Sequence, residues 1–408
     1  MKVKPYLPLS LLCALLIVSA WIPFEQGEDT VLEALGAPAA SRRNFFTSQT
    51  QGWLIETIDT SGGEWTDIAL NANGHPYISY YTSGKIKCAW WTGSNWTIQI
   101  VDNAGWSPTS IALDANGYPH ISYYGSGGGL KYAHWTGTVW DIQTVESGYP
   151  NGRSSAINLD TNGYPHISYY REGLDGGLRY ARYTGNQWII SGVDDSGWGW
   201  YTSIALDASG NPHISYSFSA GGTKYARWTG TSWVRQNVGL SGAATYYSSI
   251  ALDTNAYPHI SYYDHTNGTL RYTWWTGSSW SDTYIEPSEG YTSIALDASN
   301  YPHISYYRSK DLKYARWGGS GWTIETVDSI GDVGKYTSIA LDSNGSPHIS
   351  YYDATNGDLK YARMGTPATP TPTTTPTPTA TPTPTATPTP GPMDKFIYLP
   401  IVLRNISP

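Results

Sequence analysis

Asp114, His120 and Ser122 are spaced to meet across one hairpin. They are the three residue types that an acyl-transfer triad uses as orienting acid, base and nucleophile. The same trio returns as Asp160/His166/Ser168, Asp207/His213/Ser215, Asp253/His259/Ser261, Asp297/His303/Ser305 and Asp342/His348/Ser350. A catalytic centre does not come in six copies, so these groups are assigned to fastening a repeated unit. The Asp-x-Asn-Gly stretches, such as Asp114-Ala115-Asn116-Gly117, each offer one carboxylate, where calcium takes about six to eight oxygens. The loops from Asp264 and Asp353 are richer but still too sparse, and neither a metal nor a cofactor is expected. Gly125 and the run 127–129 lack the following helix that would make them a phosphate cradle.

A second chemistry is carried by aromatics beside scattered charges. Trp65, Trp106, Trp198, Trp200, Tyr201, Tyr247, Tyr291 and Tyr336 precede the first strand-like run of successive repeats. Arg171, Glu172, Asp175, Asp264, His265, Arg308 and Asp353 follow the second run. Ring faces stack on the apolar side of a sugar while polar groups bind its hydroxyls. The candidate ligand set is therefore those eight aromatics with Arg171, Asp264, Arg308 and Asp353. The bland alternative is that aromatics at matching positions, such as Tyr247, Tyr291 and Tyr336, wedge neighbouring units apart. Trp198 and Trp200 break the repeat and carry the functional weight.

These residues sit on an internal repeat. SIALDANGYPHISYY begins at Ser110 and returns at Ser203, Ser249, Ser293 and Ser338, with more divergent copies from Asp67 and Ala156. A run of the type LKYARWTGSxW follows each copy, and the tryptophans from Trp96 to Trp322 recur every 42 to 48 residues. Four strand-like runs per unit, period-two alternation and frequent turn signals make an all-β propeller of four-stranded antiparallel blades. Ser-Ile-Ala-Leu-Asp, thin on one face, suits the crowded axis. The repeat opens on an orphan fourth strand, Trp53 to Asp59, and ends on a third strand, Leu359 to Arg363. Joining the two completes a seventh blade and removes a sheet edge.

Composition limits the partners. Only 14% of residues are charged and the net charge is −8, so the clustered cations that nucleic acid needs are missing. With Cys13 in the N-terminal apolar run, Cys88 stands alone and no disulfide framework can be drawn. Lys2 and Lys4 followed by the apolar run from Leu7 to Ala20 read as a signal peptide over residues 1–20, too short for a true membrane span. Residues 21–51 read as a spacer, 52–365 as the propeller, 366–392 as a Thr/Pro linker and 393–408 as a short attachment or sorting tail.

The SIALD-plus-Gly-turn order resembles NHL-type and lectin-like bacterial propellers over residues 52–365. The Thr/Pro spacer with the ending Tyr398-Leu399-Pro400-Ile401-Val402-Leu403-Arg404-Asn405 resembles the tails of exported proteins of Chloroflexi-like filamentous bacteria. The resemblance implies a secreted or surface-held protein attached through an envelope component. The expected function is non-catalytic, lectin-like carbohydrate recognition. A sialidase-like glycoside hydrolase, with Arg153, Arg171 and Arg308 as its arginine cluster, and a protein-binding scaffold are the alternatives. The sialidase Asp-box is absent from the sequence.

Overall fold

The alternation in each repeat decides which strand goes where. In the first run the isoleucine is buried and its immediate neighbours are Ser or Ala, apart from Asp67 and Asn158, so seven such strands can crowd around one axis. The second run, with its Ile and first Tyr wholly enclosed, is buried on both faces and must lie inside a blade. The computed structural model describes residues 52–365 except 149–150, 174–175, 197–198, 219–220 and 241. The signal, spacer, linker and tail lie outside the described residues. The 28 strands form seven four-stranded antiparallel sheets. Blades 1 to 6 span 64–102, 105–147, 151–194, 200–237, 245–287 and 290–328. Blade 7 takes three strands from 333–365, and the strand Gly52–Asp59 supplies its outer edge. That strand pairs Gly52 with Gly365, Trp53 with Met364 and Glu56 with Tyr361, as the orphan runs predicted. No helix among the described residues is long and apolar enough to cross a membrane.

The apolar core lies between blades. Leu130, Tyr132 and Val145 of blade 2 meet Ile157, Ile167, Tyr169 and Ala181 of blade 3, and equivalent clusters fill the other seams. Polar latches cross the same seams. In six blades the first Tyr of the second strand donates its hydroxyl to a carboxylate ending the preceding blade's outer strand, as in Tyr80–Asp59 at 2.6 Å and Tyr216–Asp194 at 2.6 Å. Blade 4 ends its outer strand on Asn237 without such a carboxylate, and Tyr262 of blade 5 turns to Asp282 of its own sheet. Outer-strand indoles latch in the same direction. Trp140 donates to Gln99 at 3.1 Å, Trp188 to Gln143 at 3.0 Å and Trp280 to Gln236 at 3.0 Å.

Two latches of this series are missing, at Trp233 and at Trp322, the latter because blade 5 has Thr283 where blade 2 has Gln143. Trp233 Nε1 is buried without an acceptor, because blade 3 has Ser191 where blade 2 has Gln143. Ser191→Gln is expected to supply it and to raise stability by about 1 kcal/mol. The measurement is the urea midpoint at unchanged slope, and an unmoved midpoint would show that the seam does not need this bond.

The sixfold Asp-His-Ser trio resolves into two separate devices. Each His is buried and its Nδ1 lies 2.5–2.6 Å from a tyrosine hydroxyl on the third strand of its own blade, as in His120–Tyr132 and His213–Tyr225. The Asp places one oxygen on two backbone amides of its own turn and holds the other 3.6–3.9 Å from the His in five of the six trios. The serines face the next blade's inner strand instead, with Ser122 donating to Ser155 at 3.0 Å and Thr202 donating to Ser168 at 2.8 Å. No nucleophile–base pair is formed.

Candidate functional site

The inner strands carry the site, and they do so through a bulge. At the third position before the buried isoleucine, blades 1 and 3 to 7 place Trp65, Ser154, Tyr201, Tyr247, Tyr291 and Tyr336 at φ between 51° and 54°. Side chains rarely adopt this left-handed backbone, and each instance coincides with a register shift against the second strand. The bulge turns the side chain toward the axis. Residues expected in loops are thus bulge residues within strands. Five consecutive rings pack against one another around one end of the channel, three pairs tilted and Tyr291–Tyr336 edge to face. Centroids are 4.3 Å apart for Trp65–Tyr336, 4.7 Å for Tyr336–Tyr291, 4.4 Å for Tyr291–Tyr247 and 4.3 Å for Tyr247–Tyr201. Burial pushes the Tyr201, Tyr247 and Tyr336 hydroxyls above their ordinary value.

The arc is broken at two adjacent blades. Blade 3 has Ser154 at the ring position and blade 2 has Pro108, whose fixed φ excludes the left-handed bulge altogether. Blade 2 also holds one extra residue. In blades 1, 3, 4 and 7 a glycine five residues before the isoleucine packs directly on a leucine of the preceding blade: Gly63 on Leu359, Gly152 on Leu130, Gly199 on Leu178, Gly334 on Leu312. The corresponding glycine of blade 2, Gly105 on Ile86, lies six residues before Ile111. The insertion leaves Trp106 standing out, 53% exposed.

Together these departures open a notch of about 220 Å3 lined by Trp65, Trp106, Pro108, Tyr124, Arg153, Ser154, Trp200 and Tyr201. It adjoins the axial cavity, with which it shares Trp65, Pro108, Ser154 and Tyr201. The Arg153 guanidinium lies 5.9 Å from the Tyr124 ring centre and 3.3 Å from the Glu172 carboxylate. No carboxylate is among the described residues lining the notch. Among the described residues lining the axial cavity the one acidic group is Asp67, which stands where other blades have Ser or Ala. Ser338 Oγ donates to it at 2.6 Å, Ser110 Oγ at 2.8 Å, Ile111 N at 2.9 Å and Ile68 N at 3.0 Å. Burial pushes its carboxyl above the ordinary range while these donors pull the other way. Its four bonds tie the inner strands of blades 7, 1 and 2 together, a structural use.

The candidate residues divide accordingly. Trp65, Trp106, Trp200 and Tyr201 come together around the notch, while Tyr247, Tyr291 and Tyr336 continue the packed arc away from it. Trp198 and Asp175 lie outside the described residues. The four charged candidates stand elsewhere. Asp264 and Asp353 are buried and hold their own hairpins, through the side-chain amides of Asn267 at 2.7 Å and Asn356 at 2.8 Å. Arg308 pairs with Glu286, and Arg171 lies 3.8 Å from Glu146, both in the tyrosine–carboxylate latches. Of the three arginines grouped by sequence, Arg153 alone reaches the notch. Sequence reasoning missed Pro108, Ser154 and Tyr124. Aligning the seven inner strands would have exposed the first two, since Pro-Thr-Ser-Ile and Ser-Ser-Ala-Ile are the copies without an aromatic.

Fold and site define a seven-bladed β-propeller with an aromatic-walled opening at one end of its axis. The chain matches no protein-family model and no curated protein. Among solved structures, it is similar to a catalytically inactive virginiamycin B lyase from Staphylococcus aureus with quinupristin. The TM-score is 0.56 at 11% identity, over 76% of this chain and 99% of that one. It is also similar to the lectin of Aleuria aurantia, a six-bladed propeller with a fucose recognition mode (TM-score 0.47, 17% identity, 67% and 97% coverage). A third likeness is the SapL1 lectin in complex with alpha methyl fucoside (TM-score 0.49, 14% identity, 65% and 97% coverage). The likeness to the lyase, at 11% identity, supports the propeller fold alone and does not extend to ligands.

Proposed function

We propose that this protein is a non-catalytic recognition propeller that binds carbohydrate in the axial notch. The observation that carries the reading is the break in the aromatic arc, which leaves Trp65, Trp106, Trp200 and Tyr201 walling a cavity with Arg153 and Ser154 as its polar groups. Aromatic walls with few convergent polar groups suit a sugar ring. A glycosidase works with a pair of carboxylates about 5–10 Å apart. The described notch lining holds none, and the Asp67 oxygens accept four bonds. A glycan array and polysaccharide pull-down with the full chain, beside a reducing-end assay, tests this reading. Binding without product, lowered about tenfold or more by Trp106→Ala or Trp200→Ala, is the expected result. Turnover of any glycan would overturn it. Export and envelope attachment belong to the same reading, supported by the leader-like start and the apolar tail. Secretion into the medium by a variant lacking 393–408, against retention of the full chain, is expected. Equal distribution of the two would remove the tail from the account.

A further inference from the structure

We infer that the notch is a single-occupancy site for the uncharged terminal unit of a glycan chain, a deepening that rests on the carbohydrate reading above. Stoichiometry comes first. A propeller of seven similar blades could present several equivalent sites, but the notch depends on departures confined to blades 2 and 3: the residue inserted at Trp106, the proline at 108 and the serine at 154. In the remaining blades the ring position is aromatic, and its rings close on one another at 4.3–4.7 Å. Among the described residues, one such opening therefore exists at this level of the axis.

Shape comes second. A space of about 220 Å3 lies below the roughly 300–1,000 Å3 taken by drug-sized ligands and suits one sugar ring. A chain cannot thread on through the axis. On one side stand the packed rings. Beyond the notch lies the axial cavity of about 180 Å3, smaller than the notch and lined by Trp65, Tyr201, Tyr247, Tyr291 and Tyr336 of the packed arc. A polymer can thus present an end to the notch but cannot lie along it.

Charge comes third. Arg153 is the cation of the notch and Glu172 faces it at 3.3 Å. Glu172 stands outside the lining and already meets the charge of Arg153, whose N–H groups suit hydroxyls, whereas a sugar carboxylate would have to compete with Glu172 for the guanidinium.

The test titrates the full-length protein calorimetrically with methyl glycosides of glucose, galactose, mannose, fucose and xylose. Linear di- to hexasaccharides ending in each sugar follow, then the hexasaccharides ending in glucose, galactose or mannose with that end oxidised to a uronic acid. The expected result is one site per chain, affinity for the hexasaccharide within about threefold of the glycoside, and about tenfold weaker binding of the uronic-acid form. Ser154→Tyr should abolish binding with the fold intact. The backbone there already has the left-handed conformation that the other blades give to Tyr, and an unchanged circular dichroism melt checks the fold. Two or more sites per chain, affinity that climbs more than tenfold with length, preference for the acid, or full binding by Ser154→Tyr would each overturn this inference while leaving carbohydrate binding standing. If no glycoside, oligosaccharide or polysaccharide binds, the carbohydrate reading fails and this inference with it.

Discussion

Acidification is expected to unfold the propeller across two separate pH windows, the first set by its histidines. His120 and His213 are held down at about 4. Burial is the main cause, assisted at His120 by the facing His134 and at His213 by Arg227, and opposed by Asp114 and Asp207. His166, His259, His303 and His348 are lowered in the same direction by the same burial. In the unfolded chain each returns to an ordinary value near 6.5. The folded state therefore refuses protons that the unfolded state accepts. The histidine contribution is complete above about pH 6.5 and is lost as pH falls toward 4. For His120 and His213 that loss is about 2 kcal/mol each at pH 5, already a large share of the 5–15 kcal/mol that holds a typical domain, and the other four histidines add to it in the same direction.

The second window belongs to the latch carboxylates. Burial works against ionised Asp59, but Tyr80, Lys87 and Ser61 outweigh it and hold the group at about 2. Asp102, Asp194 and Asp328 are lowered in the same way against the same opposition. Their contribution is present above the ordinary carboxylate range near 4 and disappears as pH falls toward 2. Asp67 runs opposite, since burial raises it and protonation relieves the cost. Urea unfolding at steps from pH 7.5 to 4 should show stability falling steadily below pH 6.5. In His213→Gln the fall should be shallower by about one proton's worth of slope. A flat profile between pH 6.5 and 4.5 would mean that the buried imidazoles find compensation on protonation, with the nearby aspartates the first place to look.

The fold was legible because its determinants repeat. Ile and Tyr at the same two positions of every second strand report a buried layer, and the Trp53 to Asp59 run copies an outer strand closely enough to betray its missing partners. The site was harder to read because it is made of exceptions. Selecting residues by chemical type picked out Trp65 and Trp106, but with equal force Tyr291 and Tyr336, which fill the axis. What separates the two groups is the pair of blades that lack a ring, and an absence attracts no notice until the copies are aligned. The charged candidates stand apart from the notch for a different reason. Asp264 and Asp353 have an amide partner three residues along, a local signal that was available. The partners of Arg171 and Arg308 sit on the preceding blade's outer strand, a pairing that becomes visible once the tyrosine–carboxylate latch is recognised as a rule between neighbouring blades. Asp67 was passed over as mere divergence, although a carboxylate replacing serine near the axis demands several donors.

Deleting residues 52–59 from the full chain is expected to leave a protein that does not hold its fold at neutral pH. The strand carries more than the backbone pairing with Asp358–Gly365. Trp53 donates to Glu325 of blade 6, and Glu56 accepts from Trp96 of blade 1, each at 3.0 Å. Asp59 receives Tyr80 at 2.6 Å and Lys87 at 2.9 Å. Removing it strips both seams of blade 7, leaves Trp96 and the enclosed Tyr80 hydroxyl without these acceptors and exposes a fresh sheet edge. Summed at ordinary magnitudes for two indole bonds and one charged latch, the loss is about 5 kcal/mol before any apolar burial is counted. Truncation alone would not separate the need for closure from the need for these side chains. A circular permutant can: it joins Gly365 to Gly52 through a two-residue turn, matching the four-residue hairpin between Trp317 and Trp322, and opens the chain between Ser61 and Gly62. Blade 7 then becomes a contiguous hairpin series like the others, with every contact of 52–59 retained. The permutant should fold, with a urea midpoint near that of the parent, while the deletion should appear as aggregate or as a species without a cooperative transition. A stable, cooperative deletion variant would locate the propeller's closure in its inner strands alone. The outer clasp would then be a guard on the sheet edge rather than a condition of folding.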